Sequence, residues 1–369
     1  ACVYSAILEK SMSQSSLESN PFQAEAWIQR GLRAELTEHD SARAEHYYLE
    51  AARVNHMFLP LWTLANFYFR QQNKPKFFDA AKRALEITPY DSRPILSEAW
   101  AMANRPGEVL GILPNREKVR FEYLNFLLAN DQSDQLASAA VGAAAFRFNA
   151  QAENPGMENS WRDLLGSTED RLIATGQIEA AQRVWDNMHR TDWVRISTPS
   201  VSNPLSNGAF RKPFLGHGFD WAVQPVHGVN ADQFEELAKL SFAFDGTQPE
   251  ACRLLQQFIP LNSGDTYRFE WQAESADLRE SVGLKWRIFA VTPESGPRAG
   301  APLTSPDLMS AGQSNGSWEF SVPPSWHSAL VALEYERPLG QVRAEGSVSI
   351  RGVSMTSIAH SAPQSKGSL

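Results

Sequence analysis

Residues 60–89 read PLWTLANFYFRQQNKPKFFDAAKRALEITP, and this stretch decides the first half of the fold. Pro60 to Gln71 carries Trp62, Ala65, Tyr68 and Phe69; Pro75 to Ile87 carries Phe77, Ala81, Ala84 and Leu85. Both sets fall along one stripe of a helix. The chain before it repeats the design. Ala24 to Glu38 has Trp27, Leu32 and Leu36, and Ser41 to Val54 has Ala44, Tyr48, Ala51 and Ala52. Trp62 lies 35 positions after Trp27, and Ile87 lies 33 after Val54, so two helical pairs recur in register. Small residues on the stripes let the helices approach closely.

Beyond Arg93 the repeat degrades. Short helices are expected at Pro94–Met102, Pro106–Leu110, Arg116–Ala129, Asp134–Phe148, Trp161–Thr175 and Gln177–His189, making a solenoid of about five hairpins. At Arg195 the texture changes. Ser197-Thr198-Pro199-Ser200-Val201-Ser202-Asn203-Pro204 reads as a linker, and after it the hydrophobic period switches to two. Strands are expected at Phe219–Gln224, Leu240–Phe244, Cys252–Ile259, Thr266–Ala273, Val282–Val291, Trp318–Val322, Ala329–Arg337 and Gly346–Met355. Many short strands between turn residues predict an antiparallel β-sandwich. The fold class is therefore multidomain α + β: an N-terminal arm (1–20), a helical repeat domain (21–194), a linker (195–206), a β-sandwich (207–358) and a C-terminal tail (359–369).

Two resemblances cover nearly the whole chain. Asn20-Pro21 before a helix with Trp27 and Gly31-Leu32, then Ala44, Ala51 and the closing Thr88-Pro89, resembles the tetratricopeptide repeat, whose period is about 34 residues. Asn207-Gly208-Ala209-Phe210, Gly218-Phe219-Asp220-Trp221, Phe244-Asp245-Gly246, Gln257-Phe258-Ile259-Pro260-Leu261, Gly264-Asp265-Thr266-Tyr267 and Gly283-Leu284-Lys285-Trp286-Arg287-Ile288 resemble the jelly-roll carbohydrate-binding modules. The pairing is similar to a family of exported bacterial proteins. The second resemblance implies a sugar-binding concave face and a structural calcium, with one acidic ligand after Asn-Gly-x-Phe and another in the last strand. Arg211 and Arg351-Gly352 stand at those positions.

Composition sets limits on partners. Eleven Trp and 20 Phe with 43% hydrophobic residues describe a folded chain, and a net charge of −8 without a basic cluster excludes a nucleic-acid partner. No apolar run approaches the ~20 residues of a membrane span. The start at Ala1-Cys2 fits a mature extracellular or cell-surface protein whose signal or anchor was removed. Cys2 and Cys252 are the only cysteines, so no thiolate metal site is expected. They are left to pair within a chain, to pair between chains, or to leave Cys252 a buried free thiol.

Alternation assigns faces. Tyr267, Phe269, Trp271 and Ala273, then Val282, Leu284, Trp286 and Ile288, then Val331, Leu333 and Tyr335 form the sandwich core. The opposite face carries Arg268, Glu270 and Gln272, Lys285 and Arg287, and Glu334 and Glu336, with Gln257 from a neighbouring strand and Phe289 as its one aromatic. As a glycan site this is Gln257, Glu270, Lys285, Arg287, Phe289 and Glu334; as plain structure it is a ladder of cross-strand ion pairs. Trp221, Trp318 and Trp326 are alternative platforms from loops. Glu270 and Glu334 on adjacent strands would also match a glycosidase carboxylate pair. No His-Glu-x-x-His, Gly-x-Ser-x-Gly or phosphate-cradling loop accompanies them, so no enzyme, cofactor or metal is expected. Asn315-Gly316-Ser317 is an N-glycosylation acceptor motif.

The leading expectation is a non-enzymatic extracellular scaffold that self-assembles into filaments. Its arm, with Cys2, Val3, Tyr4, Ile7 and Leu8, would add to a neighbouring copy or another surface protein. The alternative is a glycan-binding adaptor in polysaccharide export or adhesion.

Overall fold

The computed structural model describes residues 22–130, 133–145, 157–276, 278, 283–292, 296–309 and 315–358. The arm at 1–20 with its five assembly residues, and the tail from 359, lie outside the described residues. The chain forms two compact units, Ala1–Gln135 and Leu136–Leu369. Helices come first and two antiparallel sheets follow, the α-then-β order read from the change of period. Because the units divide at Gln135/Leu136, the last helices are described with the sheets.

In the first unit α1 (Ala24–Leu36) packs on α2 (Ser41–Val54), and α3 (Phe58–Arg70) on α4 (Lys74–Ile87). Helices α5 (Arg93–Met102), α6 (Pro106–Ile112) and α7 (Glu117–Ala129) continue the stack. The stripes of α2 and α4 are buried as predicted, with Ala44, Tyr48, Ala51, Phe77, Ala81, Ala84 and Leu85 in the core; on α3 Ala65 and Tyr68 are buried while Trp62 and Phe69 are half-buried, and on α1 Trp27 and Leu32 are half-buried and Leu36 is exposed. Gly31 is needed where α1 meets α2, since a Cβ there would sit 2.5 Å from the Tyr48 ring. Asp40 and Asn73 begin α2 and α4 by accepting the backbone N–H of Arg43 and Lys76.

Carboxylates join successive helices. Glu35 accepts from the Tyr48 hydroxyl at 2.8 Å and from Arg70 at 2.7 and 2.8 Å. One helix further on, Glu45 accepts from the Tyr68 hydroxyl at 2.7 Å and Lys76 at 2.5 Å. Arg116, just before α7, donates to the carbonyls of Leu85, Glu86 and Thr88, which the end of α4 leaves unpaired.

The second unit contains α8 (Ser133–Ala144), most of which lies past the division, α9 (Met157–Ala174), α10 (Ile178–Arg190) and ten strands. Its first sheet has the order β1-β4-β9-β6-β7: Ala222–Val223, Ala251–Pro260, Ser328–Glu336, Leu284–Thr292 and Gly296–Asp307. Its second has the order β2-β3-β10-β5-β8: Val229–Phe234, Lys239–Asp245, Glu345–Ile358, Thr266–Ala276 and Asn315–Ser321. Of the residues assigned to the core by alternation, Val282 lies outside the described residues and the others are buried between the sheets, with Phe210, Trp221, Phe242 and Ile350. Trp221 is wholly buried and supplies no platform.

Two strands, β2 and β7, escaped the sequence reading. Both are edge strands. An edge strand tolerates the polar Asn230, Asp232 and Gln233 of β2 and the three prolines of β7, because one of its sides needs no ladder partner. Of Phe219–Gln224 only Ala222–Val223 pairs. Helix α9 packs against α10 and reaches β6. Its Asp170 accepts the Gly218 N–H at 2.7 Å and contacts His217 Nδ1 at 2.6 Å, while Trp185 of α10 meets Phe219 edge-on. The Ser/Pro stretch is tied to the sandwich: Tyr267 Oη donates to the Val201 carbonyl, and the Ser357 N–H to the Ser202 carbonyl.

Candidate functional site

The two sheets turn different outer faces outward, and the six candidate glycan residues do not share one. Lys285, Arg287 and Phe289 of β6 and Glu334 of β9 lie together on the first sheet, where Lys285 is opposite Glu334. Glu270 is on β5 of the second sheet. Glu270 and Glu334 therefore cannot flank one glycosidic bond, and that carboxylate pair is withdrawn. Gln257 points inward and is buried. Its amide oxygen accepts the Ser206 N–H and its nitrogen donates to Ser206 O and Oγ, fastening the entry to the sandwich.

A bulge in β4 is the cause. Cys252 pairs with Tyr335 and Arg253 with Glu334, but Leu255, not Leu254, pairs with Leu333. The extra residue reverses the parity, so Gln257 comes to lie opposite the core residue Val331.

On the first sheet the polar side chains engage one another. Arg253 and Arg287 each reach Glu334 at 2.9 Å, Arg287 also holds Glu336, and Gln256 accepts from Arg253. The Arg253 guanidinium lies 4.9 Å over the Phe289 ring. Phe289 is thus covered by a cation where a sugar ring would stack. Cys252, at the start of the same sheet, is half-buried, and burial with the nearby Glu334 charge pushes its thiol up to about 11. Its possible partner Cys2 lies outside the described residues.

The second sheet is different. Next to the β10 bulge between Ile350 and Gly352, the Gly208 carbonyl takes the Val353 N–H at 2.8 Å, setting Gly208-Ala209 beside β10. A Cβ on Gly208 would lie 2.1 Å from the Val353 carbonyl oxygen. Gly208-Ala209, β10, β5 and β8 together floor an open trough of about 680 Å³. Glu270, Gln272, Asn315, Ser317 and Ser354 line it, all exposed. None of the five side chains has a hydrogen-bond partner among the described residues. Gly316 leaves the floor flat, because a Cβ there would collide with the Trp271 indole beneath. Of this site, Glu270 was singled out from sequence, Gln272 sat on the same predicted face, and Asn315 and Ser317 carried the acceptor motif. Ser354 gave no local signal.

The calcium implied by the jelly-roll resemblance does not fit these residues. Arg351 bonds Glu274 at 2.6 Å, and the Asn207 side chain is occupied by the Lys212 backbone. Among the described residues no group of three acidic, His or Cys side chains could hold a metal, and no helix is long and apolar enough to cross a membrane.

A separate set of ionisable groups is buried where α9 meets the 215–221 loop. Glu169 is fully buried with neither carboxyl oxygen hydrogen-bonded, and burial together with the Asp170 charge raises it well above the carboxylate range. Burial pushes Asp220 up to about 7 despite hydrogen bonds from Leu215, Trp221 and Asn207. The Asp170 hydrogen bond raises His217 against the opposing effect of burial.

No family model and no curated protein matches this sequence. Several solved structures are similar to part of this chain. One described as CBM4 structure and function is 13% identical, with a TM-score of 0.30, over 41% of this chain and 98% of that one. The enzymatically active domain of tailspike protein 4 from bacteriophage CBA120 is 15% identical, with a TM-score of 0.30, over 42% of this chain and 22% of its own. The glycosylation-associated Gap123 complex of Streptococcus agalactiae is 14% identical, with a TM-score of 0.27, over 36% of this chain and 40% of its own. Matches this slight transfer no ligand or activity to this chain.

Proposed function

We propose that this protein is a non-enzymatic glycan-binding adaptor, with the trough on the second sheet as its sugar face and the helical hairpins of the first unit as the surface for a protein partner. One observation carries the reading: five exposed hydrogen-bonding side chains converge on one trough, while on the other sheet Arg253, Arg287, Glu334 and Glu336 are bonded to each other. Carboxylate, amide and hydroxyl groups are donors and acceptors suited to sugar hydroxyls. Each such bond contributes about 1 kcal/mol net, so a single site without an aromatic platform holds its ligand at roughly millimolar to tens of micromolar Kd. Repeated binding along a polymer would add avidity. An extracellular setting, in polysaccharide export or adhesion, accords with this role.

The self-assembling scaffold has less support, because the arm on which it rests lies outside the described residues. Affinity electrophoresis of the full chain in a panel of polysaccharide gels tests the proposal. Retention in at least one gel is expected, lost in the Gln272→Ala/Asn315→Ala variant and kept in Lys285→Ala. Loss with Lys285→Ala alone would move the site to the first sheet; no retention in any gel would remove the glycan reading.

A further inference from the structure

We infer that the trough selects a polysaccharide carrying free amino groups over neutral or uronic-acid polymers, an inference that rests on the glycan reading above. The charges on the second sheet support it. Arg268 is bound twice by Glu319, at 2.9 and 2.7 Å, and Arg351 by Glu274 at 2.6 Å. Both flanking cations are therefore matched by a carboxylate of their own. Among the described residues Glu270 is the only charged one lining the trough, and Arg268 answers it through space without bonding it. It stands between the amides of Gln272 and Asn315 and the hydroxyls of Ser317 and Ser354. An ammonium on a sugar ring would complete this set, donating to Glu270 while its neighbours bond the ring hydroxyls. A uronic acid would place its carboxylate against Glu270 with no cation in the lining to receive it.

Calorimetric titration of the full chain with short β-1,4-linked oligomers of glucosamine, N-acetylglucosamine and glucose, and with polygalacturonate, tests this. The glucosamine oligomer is expected to bind about five- to tenfold more tightly than its acetylated counterpart. Added salt should narrow the gap. Glu270→Gln, which keeps shape and hydrogen bonding, should erase the preference, bringing the glucosamine oligomer to within about twofold of its acetylated counterpart. If Glu270→Gln keeps the preference, or polygalacturonate binds as tightly as glucosamine, the selectivity is overturned while the glycan reading survives. If none of the four binds, the selectivity falls, and retention in the gel panel decides the glycan reading.

Discussion

The two compact units use buried carboxylates in opposite ways. In the first, Glu35 and Glu45 are placed among donors. Burial alone would raise Glu35, but hydrogen bonds from Arg70 and Tyr48 outweigh it; at Glu45 the Lys76 bond is the largest effect, and both carboxyls end below their ordinary value. In the second unit Glu169 and Asp220 are buried with oxygens left unmatched, and both are raised. The contrast teaches that burial and donors compete: Arg70 with Tyr48, and Lys76, outweigh burial at the part-buried Glu35 and Glu45, whereas nearly complete burial outweighs three hydrogen bonds at Asp220. Each unit has exceptions. Glu98 in the first is raised by burial, and Glu274 and Asp245 in the second are lowered by surface partners.

Opposite shifts imply opposite responses to pH. A raised group holds its proton longer in the folded than in the unfolded chain, so its stabilisation is complete below the unfolded value and fades as pH climbs to the folded one. For Asp220 that window runs from 3.8 to about 7. Glu169 declines from 4.5 upward and His217 from 6.5 upward. Lowered groups do the reverse: Glu35 and Glu45 stabilise fully above 4.5 and lose that contribution as pH falls through their folded values. Hydrogen exchange on the intact chain, reading each unit separately, should show the second losing protection from pH 5 to 8 and the first losing it below about pH 4.

Substitutions can break this contrast. Asp220→Asn has the largest expected effect, since three pKa units correspond to about 4 kcal/mol; it should raise the stability of the second unit at pH 8 by an amount of that order and flatten its slope. An unchanged slope would clear Asp220 of the role. Glu169→Gln keeps the shape and removes the titration, so it should flatten the same slope further, by about 1–3 kcal/mol at pH 8. In the first unit Glu35→Gln weakens the bonds to Arg70 and Tyr48 and should cost about 1–2 kcal/mol at pH 7, less at pH 4. Glu45→Gln, in a more exposed pair, should cost at most about 1 kcal/mol, measured by the same exchange.

Legibility differed between the units for a related reason. The hairpins of the first unit were readable from Trp27 to Ile87 because helix contacts follow a local period and neighbours in sequence pack together. The glycan face was read with the right parity on β5, β6 and β9 but combined residues of two sheets. Alternation says that Glu270 and Glu334 both point outward; it does not say that β5 joins β10 and β8 while β9 joins β4 and β6. Gln257 failed at one inserted residue, Leu254, which no periodicity marks. The pairing of Asp170 with His217 spans 47 positions and leaves no local trace either.

By itself the sequence determined that helices precede strands, the inward aromatics Tyr267, Phe269, Trp271 and Trp286, and a net negative charge without a run of Lys and Arg. These follow from local stereochemistry and composition. Only the tertiary structure decided which sheet each strand entered, that Arg253 covers Phe289, and that Glu270 shares a trough with Gln272, Asn315, Ser317 and Ser354. Strand partnership and the β4 bulge are settled by packing between distant segments, and a side chain's surroundings depend on that choice.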